Sequence, residues 1–374
     1  MKLKFKNTPE QEALIRAMGS RVASESQAAQ ETFAAFLGPV VSQVLQKAGT
    51  AGQIFTDATY DADDSPSFPL DLYYNEGQGY VTVYSQNMAG GMPSSQDVFA
   101  GQELKFSPYR LDSAVSFLKK YARRGRLDII GKAVERMAQE VLVKQERNAW
   151  AVVLKALANG STQGTSHVSE ALIANTSFGV ANLNTLMTKM KRINSAFNGT
   201  AGDSTPAAAF SKGITDLYIS PEVMQAVRSF AYQPVSLSNT PNNTLPTTLT
   251  NLPDGVRESI YNSAGAQSIY GVNLVELLEL GIGKKYTTLF DTFYDGSNSF
   301  SASTDDVCVG VDNSKGSFIR AVATNADTGA TFTALPDDQF NQRADKLGFY
   351  GSLEEARVCV DSRAVVGITL QPAD

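Results

Sequence analysis

His167 is the only histidine in the chain, and Cys308 and Cys359 are the only cysteines. A Ser-His-Asp or Cys-His apparatus would need that one imidazole to take up and return a proton. It sits in the Gly/Ser/Thr-rich stretch Asn159 to Ser169 and reads as a solvated loop residue. Two cysteines are too few for a disulfide framework or a four-ligand zinc site, so they read as buried, reduced thiols. Gly281-Ile282-Gly283-Lys284-Lys285 resembles a phosphate loop, but Leu278 replaces the first glycine and Lys285 the magnesium-binding hydroxyl. Asp61, Asp63 and Asp64 would open a calcium loop, yet Pro66 stands where the turn glycine is needed and Leu72 where the bidentate acid is needed. Ser116-Phe117-Leu118-Lys119 has serine-lysine spacing without a Lys-Thr-Gly or Ser-Asp-Asn partner. The acids Asp337, Asp338, Glu354 and Glu355 stand side by side in polar contexts and read as solvent-facing rather than as an acid–base pair. No catalytic residue, cofactor or metal is assigned.

One run remains. Lys119, Lys120, Arg123, Arg124 and Arg126 place five bases in eight residues, with Tyr121 between them. Such a strip can meet phosphates or the acids of another protein. The chain of 374 residues has a net charge of −6, which argues against a general nucleic-acid coat and favours acids on a neighbouring copy. Charged residues make up only 19% of the chain, below the ~25% usual for soluble domains, so part of its surface is expected to be covered by partners. The opening Met-Lys-Leu-Lys-Phe-Lys is followed by Asn7, Pro9, Glu10 and Glu12 instead of an apolar segment, so it does not read as a signal peptide. The longest uncharged stretch, Thr32 to Gln46, has 15 residues and contains Gly38 and Pro39, too short for a membrane span. Folding is expected in the cytosol, with no membrane partner.

Several elements must position this strip. Thr8-Pro9-Glu10-Gln11 predicts a helix start, with Leu14, Met18 and Val22 at four-residue spacing. A second short helix is expected from Pro39 to Gly49, and the whole region looks too thin to bury itself. Tyr80 to Tyr84 and Leu104 to Phe106 are strand signals around the flexible Gly90 to Ser95. Residues 66–108 therefore read as a long hairpin needing a neighbour to cover it. Asp128 to Ala158 predicts one long helix carrying Ile130, Val134, Met137, Val141 and Val152, with Trp150 as a packing residue. A further helix is expected over Asn182 to Phe197. Asp216 to Ser220 reads as a strand running into a helix that Ser220 caps and Pro221 starts. Residues 233–255 are a long polar loop. Strands are expected at Gly271 to Val275, Val307 to Val311, Ser317 to Val322, Ala356 to Val360 and Ala364 to Leu370.

This order of elements resembles the major capsid proteins of tailed bacteriophages with the Hong Kong 97 fold. The resemblance rests on Arg126-Leu127-Asp128 before a helix with Glu135-Arg136-Met137-Ala138 and Glu146-Arg147-Asn148-Ala149-Trp150. It rests also on Leu217-Tyr218-Ile219-Ser220-Pro221, on Ser268 to Leu274 and on the closing Asp361-Ser362-Arg363-Ala364-Val365. It implies an α+β fold with a helical N-terminal arm at 1–65, an extended E-loop hairpin at 66–112, and a P domain at 113–213 with spine helix 128–158. An A domain at 214–340 and a return to the P domain at 341–374 complete it.

The implied function is a structural subunit that assembles into hexamers and pentamers of an icosahedral head enclosing double-stranded DNA, held without sequence-specific contact. The implied partners are copies of itself, a separate scaffold, a portal and decoration proteins, and the implied location is the virion, after assembly in the host cytoplasm. Interface candidates are Tyr80, Val81, Val83, Tyr84 and Phe99 on the hairpin, with Lys119, Lys120, Arg123, Arg124 and Arg126 on the strip. Between Pro66 and Pro108 the only lysine is Lys105, near the hairpin base, so the crosslink of the family's prototype is not carried over. The alternatives are another filament or surface-layer protein, or a carboxylate-based enzyme. A flagellin-like chain would return to a C-terminal helix, whereas this one ends in a strand pattern.

Overall fold

The computed structural model describes residues 8–47, 49–61, 66–69, 103–125, 127–162, 164–171, 178–195, 213–232, 255, 258, 268–295, 300–324, 331–337 and 345–371. They form two units. The first is drawn from residues 8–69, 103–150 and 318–358, the second from 151–317 and 359–371.

In the first unit Thr8 Oγ1 accepts from Gln11 N at 3.4 Å and starts the helix Pro9–Met18. The next helix, Ala23–Lys47, runs on through Pro39. A separate helix beginning at Pro39 was expected, but within a formed helix a proline deletes one N–H bond and need not end it. The two helices are tied by Ser26 Oγ, which donates to Met18 O at 2.7 Å. Ile15, Met18, Ala29, Phe33, Ala34 and Leu37 are buried in a core shared with Ile130, Val134, Met137 and Val141 of the long helix Leu127–Asn159. The N-terminal helices therefore pack on their own subunit, where the sequence suggested a thin arm packing elsewhere.

Five strands cover that core. Thr56–Asp61 pairs in parallel with Phe318–Thr324. Lys346–Cys359 neighbours Phe318–Thr324 and pairs antiparallel with both Tyr109–Leu118 and Phe332–Asp337. The strand expected over Ala356 to Val360 thus begins ten residues earlier, at Lys346. Register with Tyr109–Leu118 places Phe349 opposite Val115, Leu347 opposite Phe117 and Glu355 opposite Tyr109. The helix Lys119–Arg123 follows directly and carries Lys119, Lys120 and Arg123 of the basic run.

The second unit is a mixed six-stranded sheet. Its order is Val168–Ala171, Val365–Leu370, Asp306–Val311, Asp216–Ile219, Val272–Glu276 and Ser268–Ile269. The central strands Asp306–Val311, Asp216–Ile219 and Val365–Leu370 are buried on both faces, which explains their near-continuous apolar runs. The helix Val180–Ser195 packs Leu183, Leu186 and Met190 into the same core. As the sequence indicated, Ser220 Oγ accepts from Val223 N at 3.2 Å and Pro221 begins the helix Pro221–Tyr232.

Candidate functional site

The hairpin has a defined stem. Ser67–Pro69 pairs antiparallel with Glu103–Lys105, placing Ser67 opposite Lys105 and Pro69 opposite Glu103. Phe106 N donates to Pro66 O at 3.0 Å and closes the base. Lys105 therefore lies at the foot of the hairpin. Tyr80, Val81, Val83, Tyr84 and Phe99 lie outside the described residues, as do nearly all of the polar stretch 233–255 and Arg126.

Four of the five bases of the strip are described. Arg123 Nε donates to Gly19 O at 3.0 Å, and its guanidinium lies 3.5 Å from Asp345. It therefore holds the turn after the first helix within its own subunit. A Cβ on Gly19 would come within 2.7 Å of Arg123 N, so this close approach requires glycine. Lys120 Nζ lies 5.2 Å from the Tyr121 ring centroid, and both Lys120 and Arg124 are exposed. Gly125, at φ 64°, brings Arg16 beside the strip: a Cβ there would lie 3.3 Å from Arg16 Nε. The fold thus adds a sixth base from a segment about a hundred residues away, which spacing alone could not reveal.

The first unit also holds a charged network around Glu355 that local sequence did not reveal. Glu355, expected to face solvent, is fully buried. Its Oε2 accepts from Arg320 Nε at 2.9 Å, Gln145 Nε2 at 3.0 Å and Arg357 Nη2 at 3.3 Å, and its Oε1 from Tyr109 Oη at 2.7 Å and Arg357 Nε at 3.2 Å. Burial pushes its carboxyl up, but Arg357, Arg320 and the Tyr109 hydrogen bond outweigh that and hold it below the usual carboxylate range. Burial and Glu355 together push the Tyr109 phenol well up. The guanidinium of Arg357 lies 5.0 Å from the Phe55 ring centroid, and Arg320 Nη1 lies 3.4 Å from Asp57. Nearby, Glu146 accepts from Ala51 N at 3.3 and 3.2 Å and fixes the turn Ala51–Gln53. Trp150 is the buried packing residue expected, and its Nε1 donates to Thr50 Oγ1 at 3.2 Å. The only local signal for the Glu355 network was the alternation Glu355, Arg357 along one strand face.

His167 was also misread. It is fully buried, its backbone N–H donates to Gly160 O at 2.9 Å, and a Cβ on Gly160 would come within 2.5 Å of its Nδ1. Burial lowers its pKa to about 4, so it stays neutral at ordinary pH. The closing Asp361–Arg363 segment makes a bidentate pair, with Arg363 Nε to Asp361 Oδ1 at 2.8 Å and Nη2 to Oδ2 at 3.0 Å. The cysteines are free thiols, Cys308 buried and Cys359 half-buried. Burial pushes the Cys359 thiol up to about 12, so it is not a thiolate nucleophile at neutral pH. A shallow depression beside it is lined by Val152, Lys155, Ala156, Asn159, Gly160 and Ser362, a set with no paired acid and base. Among the described residues no three His, Cys, Asp or Glu side chains are grouped to hold a metal. No described helix is long and apolar enough to cross a membrane.

No protein-family model and no curated protein matches this sequence. Solved structures do match in fold. The capsid subunit of cyanophage Pam1 aligns with a TM-score of 0.50 at 11% identity, over 86% of this chain and 89% of that one. The capsid of cyanophage P-SCSP1u aligns at 0.49 and 12% identity, over 87% and 89%. A virus-like particle from Pyrococcus furiosus aligns at 0.45 and 12% identity, over 89% and 98%. The α+β fold of this chain is that of phage capsid subunits, for which the Hong Kong 97 arrangement is usual.

Proposed function

We propose that this chain, having a phage capsid fold, is the major capsid subunit of an icosahedral phage head enclosing double-stranded DNA. One observation carries the reading: the fold shared with the Pam1 capsid subunit extends over 86% of this chain. The role is structural rather than catalytic. Residues 66–112 serve as the E-loop, a hairpin whose stem is built but whose apolar residues Tyr80, Val81, Val83, Tyr84 and Phe99 gain stability only by covering a neighbour. Residues 233–255 belong to the A domain and approach the capsomer axis. Lys119, Lys120, Arg124 and Arg126 meet acids of the adjacent subunit and set its register, whereas Arg123 serves mainly inside its own subunit.

The contacts are heterologous and close by symmetry into pentamers and hexamers. A separate scaffold, a portal and decoration proteins complete the head, which is assembled in the host cytoplasm. Sedimentation velocity over a range of protomer concentrations tests the reading. Ring-sized species that grow with concentration support it, and a monomer whose mass is independent of concentration counts against it.

A further inference from the structure

Asp306 opens the strand Asp306–Val311 and is fully buried. Its Oδ2 accepts a hydrogen bond from the Ser220 hydroxyl, and its Oδ1 accepts from Val307 N at 2.7 Å. The same Ser220 oxygen accepts from Val223 N and caps the helix Pro221–Tyr232. Glu222 lies in the first turn of that helix. Its Oε2 is buried without a hydrogen-bond partner, so close to Gly281 that a Cβ there would come within 2.7 Å of it. Gly281, at φ 126°, leaves the space this carboxylate occupies.

Lys284 and Lys285, which follow Gly281, are exposed, and no ion pair to Asp306 or Glu222 is formed among the described residues. Asp305 is held separately by Ser301 N at 2.7 Å and Thr304 Oγ1 at 2.9 Å, and Asp291 accepts from Ala302 N at 3.3 Å. Cys308 on the same strand stays a thiol, because burial and then the charge of Asp306 push it up. From the adjoining strand, Leu370 stands opposite Asp306 and brings no charge.

We propose that Asp306 and Glu222 form a proton-operated latch on the helix Pro221–Tyr232. With Asp306 ionised, a fully buried carboxylate stands without an ion pair among the described residues, Glu222 adds a smaller like-charge repulsion, and the first turn of the helix opens more readily. One proton taken from solvent onto Asp306 removes that repulsion and the cost of the buried charge, so acidification closes the latch. Burial first, and Glu222 after it, raise Asp306 from 3.8 to about 6, while the Ser220 and Val307 hydrogen bonds lower it. For an acid raised in the folded state, the stabilisation is full below its ordinary pKa and is lost as pH rises through about 6. The inference does not depend on capsid assembly.

Hydrogen exchange at the Val223 and Met224 amides of the intact chain, corrected for intrinsic rates, tests it. Val223 N is bonded to Ser220 Oγ and Met224 N to Ser220 O at 2.9 Å, so both report the first turn. Protection is expected to fall by up to roughly tenfold per pH unit between about 4 and 6 and to level off above that. Asp306→Asn should abolish the slope and keep protection high at neutral pH. Glu222→Gln should retain the slope with its midpoint moved to lower pH. A flat wild-type profile, or a slope that survives in Asp306→Asn, would overturn the latch. If Asp306→Asn does not fold, an unshifted midpoint in Glu222→Gln overturns it equally.

Discussion

Arg320 Nε donates to Glu355 Oε2 at 2.9 Å, and the carboxylate it holds is fully buried. Four strands, Thr56–Asp61, Tyr109–Leu118, Phe318–Thr324 and Lys346–Cys359, and the long helix contribute side chains to this network, so it fixes sheet register at the edge of the core. Replacing Glu355 by Gln or Ala leaves Arg320 and Arg357 without their buried counter-charge. We expect a loss of about 3–5 kcal/mol for the first unit, read from denaturant or thermal unfolding. Because the folded-state pKa of Glu355 is depressed, its stabilisation is present above the ordinary carboxylate range and is lost as pH falls through the lowered value. A Glu355→Gln variant as stable as the wild type at pH 7 would sink this account of the network.

His167 adds a second loss of stability on acidification, in the second unit. Its folded-state pKa, lowered to about 4 from 6.5, means that the unfolded chain binds the proton first as pH falls through that window. Stability of the second unit should therefore drop on acidification, by up to ~3 kcal/mol. Melting curves of wild type and His167→Gln between about pH 7 and 4 should converge as the wild type loses this advantage. Asp306 contributes the contrary slope between 3.8 and about 6, so the comparison is cleanest in an Asp306→Asn background. Parallel curves for the two proteins would show that His167 does not titrate as its burial requires.

Gly351 has no room for a side chain. A Cβ there would come within 2.3 Å of Phe332 Cζ, and that ring is itself 1% exposed. Gly351→Ala should cost about 1–3 kcal/mol by forcing the ring or the strand pair apart. An unchanged melting temperature would mean that the sheet yields more easily than its packing implies.

The basic strip divides into internal and external residues. Lys120→Glu with Arg124→Glu should leave subunit stability within about 0.5 kcal/mol of wild type while slowing assembly, with a defect that shrinks as salt rises. Arg123→Ala should instead lower the melting temperature, because it removes the hydrogen bond to Gly19 O. Light-scattering kinetics at two ionic strengths separate the two classes. Normal assembly of the double variant at low salt would remove Lys120 and Arg124 from the interface.

Serine at Tyr80, Val81, Val83 and Tyr84 together should leave the melting of the isolated subunit unchanged but abolish stable capsomers, since these side chains are proposed to be covered only by a neighbour. Gel filtration of the variant at high protomer concentration checks this. Wild-type oligomers from the substituted chain would place the interface elsewhere.

Local signals carried much of the fold. The long helix was legible from Ile130, Val134, Met137 and Val141 at helical spacing, and the Ser220-Pro221 helix start from its capping chemistry. What escaped was set by partners distant in sequence. Glu355 lies among polar neighbours along the chain, and its burial arises from pairing with Tyr109 across strands 246 residues apart. His167 follows a run of Gly, Ser and Thr, yet it is enclosed at the bend before Val168–Ala171, where its backbone oxygen accepts from Gly367 N and its ring packs on Gly160. Pro39 carries a helix-start signal that the formed helix overrides. The strand Thr56–Asp61 is almost wholly exposed, so no apolar alternation marked it. Its place comes from parallel pairing with residues 319–324.

The central claim is self-assembly into a closed shell. Negative-stain electron microscopy with light scattering on the purified chain, at rising protomer concentration and salt, tests it most directly. The account predicts rings, tubes or closed shells whose population grows with concentration. A clean monomer under every condition would contradict it.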